Sequence, residues 1–520
     1  MTGTLDQLQR SRRDLARWQS AQQHLLGGRH GPALTAYQAL TARYPQVAQL
    51  WFELGNAAAG ELDFTLANEA YRRAIQLAPG NSALLVMIGK QFESLRQLDD
   101  ARAAYERAVA ADPNSIDARI SLAVWCEKER RLDQAWECVE ACLARQPRDD
   151  QARYFRAFLL HRRGRNAEAE TALRQLIQDQ PRHPYVRYAS RHLLGVVLDQ
   201  LGQYAEAMRW LCEAKALVRQ ITDVRLLEQS YDEADRRRRQ LLGQLTPAVL
   251  RRWRAQGPAA PAPWQPAFLG GHPRSGTTLI EQILDAHPEI LAFDEPEAIG
   301  KEVFRQLGPP RQEETLKLEM LDGLSSPRLA QMRERYFKSL LREVHASPAI
   351  RVLLDKNPSP TASLHLWLRV FPDLKVIIAL RDPRDVVISC FFQNLMLNAT
   401  NANFLTLERT ARHYADLMDV WLHLRDLGGF DWIETRYEDV VAGLEAEGRK
   451  VTEFLGLAWH AGQREYYARA RRKFLFAPTY HDVTQPVYRR AVGRWQRYAE
   501  ALEPVQAKLA RYCRAFGYPE

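Results

Sequence analysis

Cysteine is scarce in this 520-residue chain, which has six, and no two of them form a CxxC pair or a Cys/His cluster. That scarcity argues against a zinc site, and the scattered positions favour reduced thiols over a disulfide framework. Residues 1–17 are polar and charged rather than apolar, so no secretory signal is expected. No stretch reaches the roughly 18 uninterrupted apolar residues of a membrane span. Together these absences predict a cytoplasmic protein.

A strong excess of one charge sign is also missing. Lys and Arg total 72 against 63 for Asp and Glu, and the resulting net charge of +9 is spread over the whole chain. The excess suits nucleic acid, an anionic nucleotide or an acidic substrate, but it is too dilute to choose among them. The length favours two or three domains, and 46% hydrophobic with 26% charged residues is typical of globular protein.

The first half of the chain repeats itself at a constant interval. The repeating positions are prolines, alanines and tyrosines: Pro45, Pro79, Pro113, Pro147 and Pro181; Ala33, Ala67, Ala101, Ala135 and Ala169; Tyr37, Tyr71 and Tyr105. Gly55 and Ala67 would let two helices approach closely, and Tyr71 lies one turn after Ala67 on the same face. Pro79 would end the second helix.

Paired helices that repeat at this interval, roughly 34 residues, resemble the tetratricopeptide (TPR) repeat family. The tyrosines and alanines are then expected in the core, and the resemblance implies a concave face that binds a peptide or another protein. One further unit follows a four-residue slip, with Gly195 and Ala207 at the repeating positions. The predicted repeat array covers residues 14–222.

A basic, helical stretch follows from Arg225 to Arg254 and includes Arg236–Arg239. A solvated helix face explains it best, with a nuclear or nucleic-acid signal as the alternative. Prolines between Gly257 and Pro266 then predict an extended linker. We therefore expect a basic helical segment and linker at 223–266 and a second domain at 267–520.

The second domain opens with a phosphate cradle. An apolar strand over 267–270 leads into the loop 271–278, and a helical run follows. Backbone N–H groups of such a loop and the helix N-terminus attract phosphate. Gly271 and Gly276 have Walker A spacing, but Thr277 stands where its lysine would be. Hydrolysis of ATP or GTP is therefore disfavoured, and Arg274 supplies the charge instead.

The loop resembles the 5′-phosphosulfate loop of sulfotransferases that use 3′-phosphoadenosine 5′-phosphosulfate (PAPS). The resemblance implies that the loop binds the donor through Pro273, Arg274, Ser275, Gly276, Thr277 and Thr278. In the same family an arginine at a strand end and a serine on the helix that follows hold the 3′-phosphate, and Arg381 and Ser389 match them in spacing. A guanidinium fork suits phosphate. The plain alternative is an Arg381 paired with Asp382 or Asp385.

Two further positions match catalytic residues of the tyrosylprotein sulfotransferases. The spacing of Glu295 from Arg274 matches that of the general base that takes the acceptor proton, with Asp294 as its rival. Lys356 ends an apolar strand over 352–356 and matches the lysine that neutralises the leaving phosphate. A helix-entry carboxylate and a surface lysine are the corresponding structural alternatives.

Weaker matches complete the implied donor site. Tyr437 lies in an Arg-Tyr-Glu-Asp segment whose tyrosine approaches the nucleotide in this family, although it would equally suit a core. Arg494 matches a basic residue that closes over the donor phosphates, and Thr479 is a further candidate for the same wall. The implied fold is an α/β domain of P-loop type, with a parallel sheet and the donor at the strand carboxyl ends.

The expected reaction is transfer of a sulfuryl group from PAPS to an acceptor hydroxyl, releasing PAP without a metal. The resemblance favours a protein tyrosine, presented as a peptide or protein by the repeats. However, Glu297 stands where that branch has an arginine for acidic substrates, so a glycan, a lipid or a small phenol stays open. Two functions of a different class also stay open: a scaffold with an inactive nucleotide-binding domain, and a small P-loop kinase.

Overall fold

The structure is a computed structural model that describes residues 11–256, 263–307, 316–342, 344, 346–471 and 482–519. The chain divides into two compact units, Met1–Leu193 and Leu194–Glu520. The predicted boundaries at 222 and 266 stay predictions. Among the described helices, none combines the length and the apolar run needed to cross a bilayer.

The first unit is built of antiparallel helix pairs. Its helices are α1 (Arg12–Leu26), α2 (His30–Arg43), α3 (Ala48–Gly60), α4 (Phe64–Leu77), α5 (Ser82–Ser94), α6 (Leu98–Ala111), α7 (Ile116–Lys128), α8 (Leu132–Arg145), α9 (Asp150–Arg162), α10 (Asn166–Gln178) and α11 (Pro184–Gln200), the last of which contains the division. Pro79 follows the end of α4, and the other prolines of the repeat follow the second helix of their pairs in the same way. The predicted helical repeats are confirmed.

Contacts inside each pair explain the repeating residues. A Cβ atom added to Gly55 of α3 would lie 2.4 Å from a ring carbon of Tyr71 of α4, and at Gly89 the distance to Tyr105 would be 2.6 Å. The first helix of each of these pairs can approach the second only because it lacks a side chain there. Both tyrosines are buried, as are the alanines in register with them, so the core assignment is correct.

The second unit begins with helices that precede the predicted linker, of which residues 257–262 lie outside the described residues. After the end of α11 come α12 (Tyr204–Ile221), α13 (Arg225–Leu242) and α14 (Pro247–Ala255). Two arginines of the run in α13 form ion pairs within the unit. Arg238 and Arg239 both bind Asp235, and Arg239 also binds Asp416. These two arginines stabilise the unit itself, which weakens a nucleic-acid role for the run.

A five-stranded parallel sheet forms the centre of the second unit. Its strands are β1 (Gln265–Gly271), β2 (Ile290–Asp294), β3 (Val352–Lys356), β4 (Lys375–Leu380) and β5 (Asp431–Arg436), in the spatial order β2-β3-β1-β4-β5. The register pairs Leu269 of β1 with Lys356 of β3 and with Ile377 of β4. Residues 352–354 of β3 and 376–380 of β4 are apolar and buried, as expected for strands of a parallel sheet that is covered on both faces. The predicted fold class is confirmed.

Helices and short turns surround the sheet. They are α15 (Thr277–Asp285), a π-turn (Gly300–Phe304), α16 (Arg305–Leu307), α17 (Leu318–Asp322), α18 (Ser326–Leu341), α19 (Leu364–Val370), α20 (Pro383–Phe391), α21 (Leu407–Leu427), α22 (Tyr437–Ala442), α23 (Leu444–Phe454), α24 (Tyr466–Ala470) and α25 (Ala499–Phe516), with 3-10 turns at Ser359–Ser363, Asn401–Leu405, Ala461–Glu465, Asp482–Thr484 and Arg494–Tyr498. The chain reverses its direction of travel across the sheet between β1 and β4, and ligands of open parallel sheets bind outside such a point.

Candidate active site

The loop between β1 and α15 requires its two glycines. Gly271 has a φ of 118°, and a Cβ there would lie 2.3 Å from the carbonyl oxygen of Ala379 in β4. Gly276 has a φ of 91°, and a Cβ there would lie 2.6 Å from the ring of Tyr437. The backbone therefore passes close to both neighbours, and α15 begins directly at Thr277 with its N-terminal N–H groups at the loop.

A cavity of about 390 Å³ opens beside this loop. Its size is in the range of ordinary small-molecule sites. Eight of the residues predicted to bind the donor line it: Arg274, Gly276, Thr277, Thr278, Arg381, Ser389, Tyr437 and Arg494. Pro273 and Ser275 belong to the same loop but are not among the lining residues. The structure thus brings distant sequence segments to one concave surface.

The two predicted halves of the phosphate clamp touch each other. Nε of Arg274 donates to the Ser389 hydroxyl at 3.2 Å, and Nη1 of Arg381 donates to the Arg274 carbonyl, also at 3.2 Å. Nε of Arg381 is buried and has no hydrogen-bond partner among the described residues. A buried donor left unpaired is costly unless a ligand accepts from it. This is the first local sign that the cavity fits an anion.

Arg381 contacts both Tyr437, which was predicted to lie in the donor site, and Asp385, which was the predicted partner in the ion-pair alternative. Its guanidinium lies 5.0 Å from the ring centroid of Tyr437, and its Nη2 lies 3.8 Å from Asp385. The ion pair with Asp385 is therefore real, but it is long and leaves the arginine on the cavity wall. Tyr437 is buried at the same time as it lines the cavity, so its core role and its binding role are compatible.

Arg494 is held from several sides. The backbone N–H groups of its neighbours Gly493 and Trp495 donate to Asp385 at 2.8 and 2.7 Å. Its guanidinium lies 4.0 Å from the ring centroid of Phe392. Thr479, the other candidate for this wall, lies outside the described residues.

Glu295 and Lys356 lie at the carboxyl ends of the adjacent strands β2 and β3 and outside the cavity lining. Nζ of Lys356 contacts Asp294 and lies 3.1 Å from a carboxylate oxygen of Glu295. Burial alone would lower the pKa of Lys356, but the carboxylates of Asp294, Glu295 and Glu281 outweigh burial and raise the pKa above its usual value. The lysine is therefore charged, and it is buried rather than a surface lysine.

Exposure separates the two rival carboxylates. The Asp294 side chain is 13% exposed, whereas that of Glu295 is 50% exposed. Glu295 is therefore the more accessible of the two carboxylates from solvent.

A pair of buried histidines, His272 and His413, lies at the loop between β1 and α15. Nδ1 of His272 donates to the carbonyl of Pro273 at 2.8 Å, so Nε2 must accept the 2.8 Å hydrogen bond from Nδ1 of His413. Burial lowers the pKa of His272 to about 4 and lowers that of His413 as well. Both rings are therefore neutral near pH 7 and support the loop without adding charge.

Several lining residues were missed by sequence reasoning. Among them are Asp199, Gln200, Tyr204, Tyr466, Val483, Tyr488, Arg490 and Arg497. The first three come from helices assigned to the repeats by their period. The four-residue slip at Gly195 and Ala207 was the one sequence signal that these helices depart from the array.

Comparison with known proteins gives a family match in each half of the chain. Residues 266–461 match the Sulfotransferase family, and residues 19–225 match the N-terminal domain of the T7SS, ESX-1 secretion system protein EccA1. The resemblance of the second unit to sulfotransferases is thereby confirmed.

Individual relatives are distant and overlap in part. Protein-tyrosine sulfotransferase 2 of Gallus gallus is 27% identical over 201 residues, 37% of this chain and 51% of that protein. An uncharacterized protein of Aquifex aeolicus is 27% identical over 323 residues, 60% of this chain and 40% of that protein. The chain thus spans about half the length, or less, of these relatives. The sulfotransferase domain of the Synechococcus PCC 7002 olefin synthase is 22% identical, with a TM-score of 0.36, and the match covers 51% of this chain and 98% of that domain.

Proposed function

We propose that this chain is a PAPS-dependent sulfotransferase that moves a sulfuryl group from PAPS to an acceptor hydroxyl and releases PAP. One observation carries the proposal. The ends of all five parallel strands supply, in spatial order, Glu295, Lys356, the phosphate loop, Arg381 and Tyr437. This order supports a site with the proposed base and cation on one side of the loop and the proposed nucleotide-binding residues on the other.

The cavity fits a multiply charged nucleotide. Gly276 lets the loop backbone pass close to the Tyr437 ring at the cavity, and the buried Nε of Arg381 is a donor without a hydrogen-bond partner among the described residues. Arg274 and the loop N–H groups would hold the 5′-phosphosulfate, and Arg381 and Ser389 the 3′-phosphate. When bound, PAPS supplies the sulfuryl group and a leaving phosphate.

The placement of Glu295 and Lys356 at the ends of adjacent strands supports the catalytic roles that the resemblance implies for them. Glu295 accepts the proton of the acceptor hydroxyl as the acceptor oxygen bonds to sulfur. The bond between sulfur and the bridging oxygen breaks, and the electron pair stays on the phosphate of PAP. Lys356 is kept charged by its carboxylate neighbours and supplies the cation that stabilises this oxygen.

Glu295→Gln tests the reaction. The amide keeps the size of the side chain but cannot accept the proton, so we expect transfer of label from PAPS to fall about 100-fold or more. Calorimetric binding of PAP should remain, because Glu295 lies outside the cavity lining. Unchanged turnover in Glu295→Gln would refute the base assignment. If the wild type does not bind PAP, PAPS is not the donor, and the alternative of a scaffold protein without sulfotransferase activity is favoured.

For the acceptor, we propose a protein tyrosine, supported by the similarity to protein-tyrosine sulfotransferases and by the helical repeats, which resemble peptide-binding arrays. Glu297 is exposed two residues after Glu295 and would repel acidic side chains near the target. We therefore expect neutral or basic residues around that tyrosine. Labelled-PAPS assays on paired neutral and acidic tyrosine peptides test this, with a small phenol and a glycan as competing acceptors.

We also propose a reducing compartment, the cytoplasm, as the place of action. The six cysteines all lie among the described residues and are thiols in the structure, and four of them are buried. Disulfides are common in oxidising compartments, so cysteines that remain thiols suit a reducing one.

A further inference from the structure

The donor cavity is cationic and has one carboxylate among the described residues that line it. Five arginines face it: Arg274, Arg381, Arg490, Arg494 and Arg497. The carboxylate is Asp199, in the last turn of α11, ahead of the linker. An acidic side chain in a site for an anionic nucleotide would repel the ligand unless it has another task.

Both oxygens of Asp199 are engaged. Oδ2 lies 3.0 Å from Nη2 of Arg494, and Oδ1 accepts a hydrogen bond from the Tyr498 hydroxyl. The Asp199 side chain is only 5% exposed. Its charge is therefore balanced by Arg494 rather than presented to a ligand, and a buried charge paired in this way has a defined orientation.

Asp199 is one of several restraints on Arg494, whose guanidinium also lies 5.9 Å from the ring centroid of Tyr498. Asp385 fixes the backbone on both sides of Arg494, and the ring of Phe392 fixes one face of the guanidinium. Asp199 holds one edge through Nη2. A guanidinium has a second edge with further N–H donors, and Arg494 lines the cavity.

We propose that Asp199 is a positioning residue for donor binding, holding Arg494 in the orientation that receives a donor phosphate. The inference rests on the proposed donor-binding function. It assigns a role in the donor site to a helix that the sequence period places in the repeats. Preorganised charge of this kind strengthens binding because the arginine loses less freedom when the ligand arrives.

The test is calorimetric titration of PAP into the full-length chain and its variants. Asp199→Asn should weaken PAP binding about tenfold, the usual scale for losing one charge-assisted contact. Arg494→Gln should weaken it by at least as much. The double variant should bind no more weakly than Arg494→Gln alone, because Asp199 acts through Arg494.

Two controls separate positioning from general support of the fold. Tyr498→Phe removes the hydroxyl that binds Asp199 but keeps the ring beside Arg494, so it should cost clearly less PAP affinity than Asp199→Asn. Asp223→Asn breaks an exposed ion pair with Arg225 and should change nothing. If Asp199→Asn does not fold, Asp199→Glu displaces the carboxylate by one methylene and should still weaken PAP binding severalfold.

Three outcomes would overturn the inference while leaving the proposed function standing, provided that the wild type binds PAP. Tighter binding in Asp199→Asn would mean that the carboxylate only repels the donor. Additive losses in the double variant would mean that Asp199 acts independently of Arg494. Equal losses in Tyr498→Phe and Asp199→Asn would assign the effect to packing around Tyr498.

Discussion

Arg274 and Glu295 share a backbone conformation that non-glycine residues rarely adopt. Their φ angles are 75° and 50°, and they are the non-glycine residues with positive φ among the described residues of the second unit. Left-handed geometry costs about 1–2 kcal/mol for an L-residue and persists where the surroundings enforce it. The resemblance to sulfotransferases gave both residues their expected roles through sequence spacing, and their backbone geometry is a separate observation about the same two positions.

The buried pair His272 and His413 predicts a specific dependence on pH. The folded pKa of His272 is about 4, below the ordinary value of 6.5, so between these values the unfolded chain binds more protons. The contribution of His272 to stability is complete above pH 6.5 and declines as the pH falls towards 4. By pH 5 the loss is about 2 kcal/mol. Unfolding in guanidinium chloride at pH 7 and at pH 5 measures this loss of free energy of unfolding.

His272→Gln provides the comparison. The amide can still donate to Pro273 and accept from His413, but it does not titrate, so its free energy of unfolding should fall less between pH 7 and pH 5. Other groups that respond to acid act equally in both proteins. An identical decrease in the two would contradict neutral burial of this ring.

At the scale of elements, the parallel sheet gathers the site. The carboxyl ends of all strands in a parallel sheet lie at the same edge. The residues that directly follow β1 to β5 are therefore brought close together by the sheet itself. The first unit uses its elements differently, since there the approach of two helices in a pair depends on one small residue.

Gly55→Ala tests that approach. The new methyl carbon would lie 2.4 Å from the Tyr71 ring, so the helices of the pair must separate, and we expect a loss of about 1–3 kcal/mol. Gly80→Ala is the matched control, because its Cβ meets nothing within 4 Å. Thermal unfolding followed by circular dichroism compares the two. A stable Gly55→Ala would refute the close-packing explanation of the repeating pattern.

At the scale of the molecule, the unit that carries the candidate site begins at Leu194, well before the predicted linker. Buried Trp253 of α14 donates to Asp322 at 2.6 Å, and Tyr231 of α13 donates to Asp416 at 3.4 Å. Several apolar residues of α13, α14 and the turn between them belong to the same core as the sheet: Leu241, Leu242, Leu245, Val249 and Leu250.

A chain that starts at Pro258 should therefore fail. It would lack these helices and expose the apolar surface that they cover, so we expect aggregation and no PAP binding. A chain that starts at Pro184, the first residue of α11, keeps them and should remain soluble and bind PAP. Size-exclusion chromatography and calorimetry distinguish the two. A soluble, PAP-binding Pro258 chain would show that the helices are dispensable.

Local chemistry explains what could be predicted from sequence. A glycine loop after an apolar strand, an arginine at a strand end and a regular helical repeat each lie within a short segment, and their physical meaning depends on neighbours along the chain. The repeats followed from such signals, whereas the parallel sheet and the choice of Arg381 and Arg494 were implied by the resemblance to sulfotransferases.

The tertiary structure decided the rest, because it depends on contacts between segments far apart in sequence. No local pattern marks Asp199 as the partner of Arg494, which lies near the other end of the chain, or joins Arg274 to Ser389. The burial of Lys356 beneath two carboxylates likewise depends on two neighbouring strands. By itself the sequence determined which groups could hold phosphate, since that is a property of residue type and local backbone. Only the fold decided which groups surround and orient them.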